Sequence, residues 1–251
     1  MKKIGLIVLW AFILHRPALL NFGNAIPGSA HGDTVRGHWS AWLMSVDLWP
    51  LQSDVFLWPE GGGLLPLPPI SLAIVAPITR FLGASTGLSF LVFLHSILLM
   101  LACYWMCKLL TMRSTYALIG ALLAGSTPML AETLHAGVYE YQTLGWLILS
   151  LCTLFKAVKG EWLWGIPAGI LYIIAVLDCG YYGSAGIVAT AVIVLSQTRT
   201  KKGFFGAGIA AVTVAILAAA AWYVINPLLG DFMSRSWDGL KVMMGTAELK
   251  A

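Results

Sequence analysis

Charge in this chain is confined to short clusters, and the runs between them carry almost none. Lys2 and Lys3 open the sequence, Lys108 and Arg113 bracket one turn, Lys156 and Lys159 another, and Arg199, Lys201 and Lys202 form a third. Between them lie the apolar runs 87–107, 115–131, 141–155, 162–177, 181–198 and 203–227. Each approaches the roughly 20 residues that a helix needs to cross about 30 Å of hydrocarbon. The 251 residues are 59% hydrophobic and only 10% charged. Soluble domains sit near about 45–50% and about 25%. That balance excludes a soluble enzyme, a disordered regulator and a nucleic-acid-binding domain. A net charge of +4 in such a chain reports orientation rather than an anionic partner.

Placing every basic turn on the cytoplasmic side fixes a topology. The N-terminus is inside and a first helix, 4–22, exits, leaving 23–86 as the first extracytoplasmic loop. Helices 87–107, 115–131, 141–157, 162–177, 183–198 and 203–225 then alternate, which puts 132–140 and 178–182 outside. The expected fold is therefore an all-α polytopic transmembrane bundle of about seven crossings, in one domain spanning residues 1–251. Segment 64–82 is apolar enough to insert, but it carries Pro66, Pro68, Pro69 and Pro77. Proline removes backbone pairing that lipid cannot replace, so this piece reads as a juxtamembrane or re-entrant helix that does not span. The first helix resembles a signal peptide, with PGSA before His31 as a cleavage site. The apolar character resumes after His15-Arg16-Pro17, which favours a retained helix. Cys103, Cys107, Cys152 and Cys179 form no CxxC pair and read as small apolar residues.

Polar groups at a membrane boundary mark candidate sites. In HGDTVRGHWSAWLMSVDLW, Val35, Trp39, Trp42, Val46 and Trp49 share one helical face, with Arg36, Ser40 and Asp47 opposite. This predicts an amphipathic helix lying flat, its tryptophans at headgroup depth. Asp33 at its start is either an N-cap or a carboxylate held at the surface as a base or metal ligand. FLWPEGGGLLPLPP is a tight loop whose glycines either admit a ligand or merely turn the chain, and Glu60 alone is unspecific. In AETLHAGVYEYQTLGW, a short loop keeps Glu132, His135 and Glu140 close together. They either hold a divalent cation or position a hydroxyl, or they form a solvated loop. Asp178, beside Tyr181 and Tyr182, is expected to be solvated, and His95 to hydrogen-bond a neighbouring helix. Signatures of nucleotide-driven transport, dinucleotide binding and the common hydrolases are absent.

The order of these motifs resembles the GT-C superfamily of polytopic glycosyltransferases, specifically its uncharacterised bacterial integral-membrane members. An outer loop opens on an acid in GDTVRGHW. An aromatic surface helix follows, then the proline-rich LWPEGGGLLPLPP and a juxtamembrane helix ending in FLG. A crossing ends in the SxP of GALLAGSTPML, a second acidic motif GVYEYQTLGW comes next, and an outer YYG hinge closes the set. The resemblance covers roughly residues 20–200. It implies transfer of a sugar from a polyprenyl-phosphate donor to a glycan, lipid or protein acceptor at the outer face of a bacterial cytoplasmic membrane. It assigns catalysis to Asp33 and Glu140, which would also hold a divalent cation, Mg²⁺ or Mn²⁺. Substrate and phosphate binding fall to Arg36, His38, Glu60, Arg80 and His135. Members of the superfamily usually have more crossings and often a C-terminal extracytoplasmic domain. The expectation is thus of a C-terminally truncated unit, or one completed by a partner chain. Two other classes stay open: a non-catalytic scaffold or subunit of the same fold, and a transporter of a lipid-linked glycan.

Overall fold

The computed structural model describes residues 2–21, 27–28, 33–46, 68–111 and 113–223, without the side chains of Asp33, Val35 and Arg36. Glu60 and the glycine–proline loop around it lie outside the described residues. Among those described, the chain is helical and no strand occurs. The helices are α1 (Lys2–Leu20), α2 (Asp33–Val46), α3 (Pro69–Leu82), α4 (Ala84–Thr111), α5 (Ser114–Gly125), α6 (Pro128–His135), α7 (Leu144–Val158), α8 (Gly165–Asp178) and α9 (Tyr181–Gln197). Helix α10 (Lys201–Tyr223) follows. Five segments are long and apolar enough to cross a membrane: α1, α4, α5 with α6, Tyr139–Val158, and α10. The segments Trp162–Asp178 and Tyr181–Gln197 are shorter apolar helices.

The break between α5 and α6 falls at Pro128, whose missing N–H is harmless in a first turn. Helix α1 packs along one face on α4 and α5. Ile7 and Ala11 are buried against Met100 and Ala121. Trp10 Nε1 donates to Ser126 Oγ at 2.9 Å, and His15 Nε2 pairs with Ser96 Oγ at 2.6 Å. These contacts set α1 antiparallel to α4 and parallel to α5.

Helix α3 has 14 residues, about 21 Å of helix, which is short for a crossing. Gly83, at φ +89°, closes α3 and starts α4, so α3 doubles back along the first half of α4. Thr79 lies against Gly87, where any Cβ would overlap its side chain. Helix α2 packs on α3 and α4, placing Ala41 and Met44 among Leu72, Val75, Leu88 and Val92.

The buried side of α2 is not the one that carries Trp42 and Val46. Thr34, Gly37, Ser40, Ala41 and Met44 face the bundle, while Trp42 and Val46 are exposed. Small side chains allow close approach of helices, so the face that reads as polar is the one that docks, and Trp42 points away from the protein.

The basic clusters gather at one end of the bundle. Lys3 Nζ donates to Ser114 Oγ. The rings of Trp105 and Trp164 meet edge-on at 5.8 Å. Lys156 Nζ sits 4.1 Å above the Trp164 ring and 2.9 Å from Glu161 Oε2. That hydrogen bond holds the exposed Glu161 carboxyl below the usual range. Lys202 lies beside Gly160, and Gly203 against the Val158 carbonyl. Helices α4, α5, α7, α8 and α10 therefore start or finish at the same level.

Candidate functional site

The opposite end is built where the first turn of α2 meets the loop between α6 and α7. Gly137 has φ +77°, a conformation glycine adopts without strain. It lies directly on Thr34, so closely that a Cβ would overlap the Thr34 backbone. Gly37, one turn further along α2, receives the ring of Tyr139, and again a Cβ would overlap it. The Tyr139 hydroxyl donates to the Pro27 carbonyl, which ties in the stretch before α2. A 3₁₀ turn, Tyr139–Thr143, then leads into α7. Gln142 Nε2 fastens it by donating to Leu130 O and Thr133 Oγ1, both at 3.0 Å.

The sequence-predicted residues are placed as follows. Glu132 and His135 are exposed on α6, and Glu140 is half-buried in the 3₁₀ turn. The Glu140 carboxylate lies within electrostatic reach of Cys179 and Tyr182 at the α8–α9 turn. That turn is joined to the same region, because Tyr182 Oη donates to Tyr141 O at 2.6 Å and Tyr141 stacks on Tyr181 at 5.8 Å. Asp33 and Arg36 lie in the first turn of α2, their side chains outside the described residues. Asp33 is next to Thr34 in sequence, so its backbone enters the same junction. His38 lies one turn beyond Thr34, with Nδ1 buried and unpartnered. Arg80 is exposed near the end of α3, and no described residue links it to the junction. Among the described residues no three of His, Cys, Asp and Glu come together as a metal site.

Two expectations are corrected. Asp178 is not solvated: it is fully buried, at 0% exposure, and caps a helix from another part of the chain. Its Oδ1 accepts the backbone N–H groups of Ile70 at 2.8 Å and Ser71 at 3.2 Å, and its Oδ2 accepts the Ser71 hydroxyl. Helix α3 begins Pro68-Pro69, and Pro68 offers no side-chain cap. The first free donors of α3 are thus those of Ile70 and Ser71, and a carboxylate there also meets the positive end of the helix dipole. The only local signal was that missing cap.

His95 is the second correction. It is 5% exposed, Nδ1 has no partner, and no described residue hydrogen-bonds its ring. It stands edge-on to Trp146 at 6.1 Å. Trp146 Nε1 in turn donates a long 3.4 Å bond to Ser71 Oγ. Among the described residues, the histidine that does bond a neighbouring helix is His15.

Comparison with family models, curated proteins and solved structures finds no match for the chain. The ordered motifs and the geometry of this junction therefore carry the functional reading.

Proposed function

We propose that the chain is a glycosyltransferase-like membrane protein. It would move a sugar from a polyprenyl-phosphate donor to an acceptor hydroxyl at the extracytoplasmic face of a bacterial cytoplasmic membrane. The observation that supports this reading is the docking of Thr34 on Gly137. Thr34 adjoins Asp33, and Gly137 lies three residues before Glu140, so the two acid-bearing segments that the GT-C resemblance singles out meet at one junction. The junction lies at the end of the bundle away from the basic clusters. With those clusters cytoplasmic, the N-terminus is inside and the junction faces outward.

In the proposed reaction Asp33 takes the proton of the acceptor hydroxyl as its oxygen bonds to the anomeric carbon. The bond from that carbon to the phosphate oxygen breaks on the opposite face, and polyprenyl phosphate departs with the electron pair, giving inversion. Cationic or donor groups near the leaving phosphate stabilise its charge. His135 ends α6 beside the docked loop, and Arg36 and His38 share α2 with Asp33, so these three fit that role better than Arg80. A divalent cation enters the proposal only through Asp33 and Glu140, and no step depends on it.

The test is turnover of a radiolabelled polyprenyl-phosphate hexose by the full chain in liposomes, read as release of polyprenyl phosphate. Asp33→Asn should lower the rate at least about 100-fold, the usual scale for losing a general base. Glu140→Gln should lower it too, with helix content and size-exclusion behaviour unchanged. Turnover that survives Asp33→Asn overturns the assignment. A wild-type chain that releases nothing overturns the reaction and leaves a non-catalytic scaffold or subunit of the same fold.

A further inference from the structure

Helices α7, α8, α9 and α10 leave a cavity of about 610 Å³ between them, within the roughly 300–1,000 Å³ of small-molecule sites. Leu154 of α7 and Tyr172 of α8 line its floor, Ile187 and Leu195 of α9 one wall, and Ala207 and Ala215 of α10 the other. It is a groove about 12 Å long, the rise of the helix along each wall. Ile187 is 64% and Leu195 84% exposed, so the groove opens on the outside of the bundle, where lipid lies. No Lys, Arg, His, Asp or Glu lines it. The Ser150 hydroxyl is already given to Ala168 O at 2.8 Å and that of Tyr172 to Gly183 O at 2.6 Å. Such walls suit hydrocarbon.

One end of the groove meets the basic end of the bundle. Lys159 follows Leu154, Arg199 follows Leu195 and Lys202 precedes Ala207 by four or five residues, about 6–8 Å along the helices. Two turns that are distant in sequence come together there. Gly203 lies on the Val158 carbonyl and Gly206 on that of Ala157, so closely that a Cβ would overlap either, and Lys202 stands beside Gly160. The exposed Lys159, Arg199, Lys201 and Lys202 thus belong to one cationic patch. Glu161 is the only described carboxylate at this end, and Lys156 pairs with it at 2.9 Å. Among the described residues, none of the four cations of the patch has a carboxylate partner.

A cationic patch followed along the membrane normal by an apolar groove fits one class of molecule. An anionic phospholipid carries its phosphate at the membrane surface and its acyl chains directly beneath. Lysine and arginine make charge-assisted hydrogen bonds to phosphate oxygens, and basic pockets between membrane helices hold anionic headgroups in this way. A helix from another chain would fill the groove and leave the patch uncompensated. A free phosphate would use the patch and leave the groove empty.

We propose that this groove is a site for an anionic phospholipid, with one acyl chain between α9 and α10 and the phosphate on Lys159, Arg199, Lys201 and Lys202. The inference rests on the groove and the patch, independently of the sugar-transfer reading, and holds for either orientation of the bundle.

The test uses the full chain in phosphatidylcholine nanodiscs. Phosphatidylglycerol and phosphatidylcholine probes carry the same diazirine in one acyl chain and are added at equal, low mole fraction. The phosphatidylglycerol probe should label peptides covering residues 187–215 at least about fivefold more than the phosphatidylcholine probe, the worth of one juxtamembrane cation. Arg199→Gln with Lys202→Gln should erase that preference. Lys108→Gln with Arg113→Gln removes the same charge from the same end but away from the groove, and should leave the preference intact. Ala191→Trp, at an exposed position in the groove wall, should remove labelling by both probes while the protein stays monodisperse. Equal labelling by the two probes overturns the proposal. An equal loss in the two charge variants also overturns it, because the attraction then belongs to the whole basic end. Displacement of the probe by inorganic phosphate, beyond a chloride control of equal ionic strength, would assign the patch to a free anion instead. Absence of label from 187–215 would leave the groove to a second copy or another helix.

Discussion

Burying a carboxylate costs several kcal/mol unless hydrogen bonds replace the water it loses. At Asp178 three donors do so, the N–H groups of Ile70 and Ser71 and the Ser71 hydroxyl, all from the start of α3. The bond serves both sides, because α3 opens on two prolines and has no cap of its own. Asp178→Ala leaves two N–H groups buried without an acceptor and is expected to destabilise the protein by about 1–3 kcal/mol. Asp178→Asn keeps one acceptor oxygen and loses the charge, so its cost should be smaller. Thermal unfolding in detergent checks both, and an Asp178→Ala protein that melts with the wild type would remove this role. No inspection of the sequence near Asp178 predicts its partner, since Ser71 is 107 residues away. The acid was legible as a boundary residue, and its burial was not.

At the scale of elements, hydrophobic runs located the helices well. The expected 87–107 is Ala84–Thr111, the expected 183–198 is Tyr181–Gln197, and Pro69–Leu82 of the proline-rich segment is a short helix folded back on α4. For α2 the pattern set the tryptophan stripe at the headgroups but did not name the residues that meet protein. Periodicity marks apolar side chains, but at a membrane boundary those can face lipid headgroups while glycine, serine and alanine make the close contact. The candidate junction depends on that contact, through Gly37 under the Tyr139 ring. Gly37→Ala should push the ring away and break its bond to the Pro27 carbonyl. The expected cost is about 1–3 kcal/mol, as for other overpacked sites. Hydrogen exchange across residues 137–143 should rise with it. In a Tyr139→Ala background the same substitution should cost little, because the two side chains are coupled. A Gly37→Ala penalty that is unchanged in that background would show that the ring is not what Gly37 accommodates.

At the scale of the whole molecule, four basic clusters that are far apart in sequence share one end, and the acid-bearing loops share the other. That grouping was readable from charge, because the basic clusters fall between the long apolar runs. The meeting of the Asp33 and Glu140 segments was not readable from the sequence, since no local pattern encodes a contact between α2 and the α6–α7 loop. The sidedness of the bundle makes a direct prediction. In a variant with its four cysteines replaced, single cysteines go in at Lys159, exposed at the basic end, and at His135 and Ser184, exposed toward the other. On right-side-out vesicles an impermeant maleimide should label His135→Cys and Ser184→Cys. It should reach Lys159→Cys only after the membrane is opened. Labelling of Lys159→Cys alone from outside would invert the bundle. The Asp33 junction would then face the cytoplasm, and an outer-face transfer reaction would fail with it. Labelling of Lys159→Cys and His135→Cys from the same side would mean that Tyr139–Val158 does not cross the membrane. The extended apolar helix would then need another explanation, although its length suits a full crossing of about 30 Å.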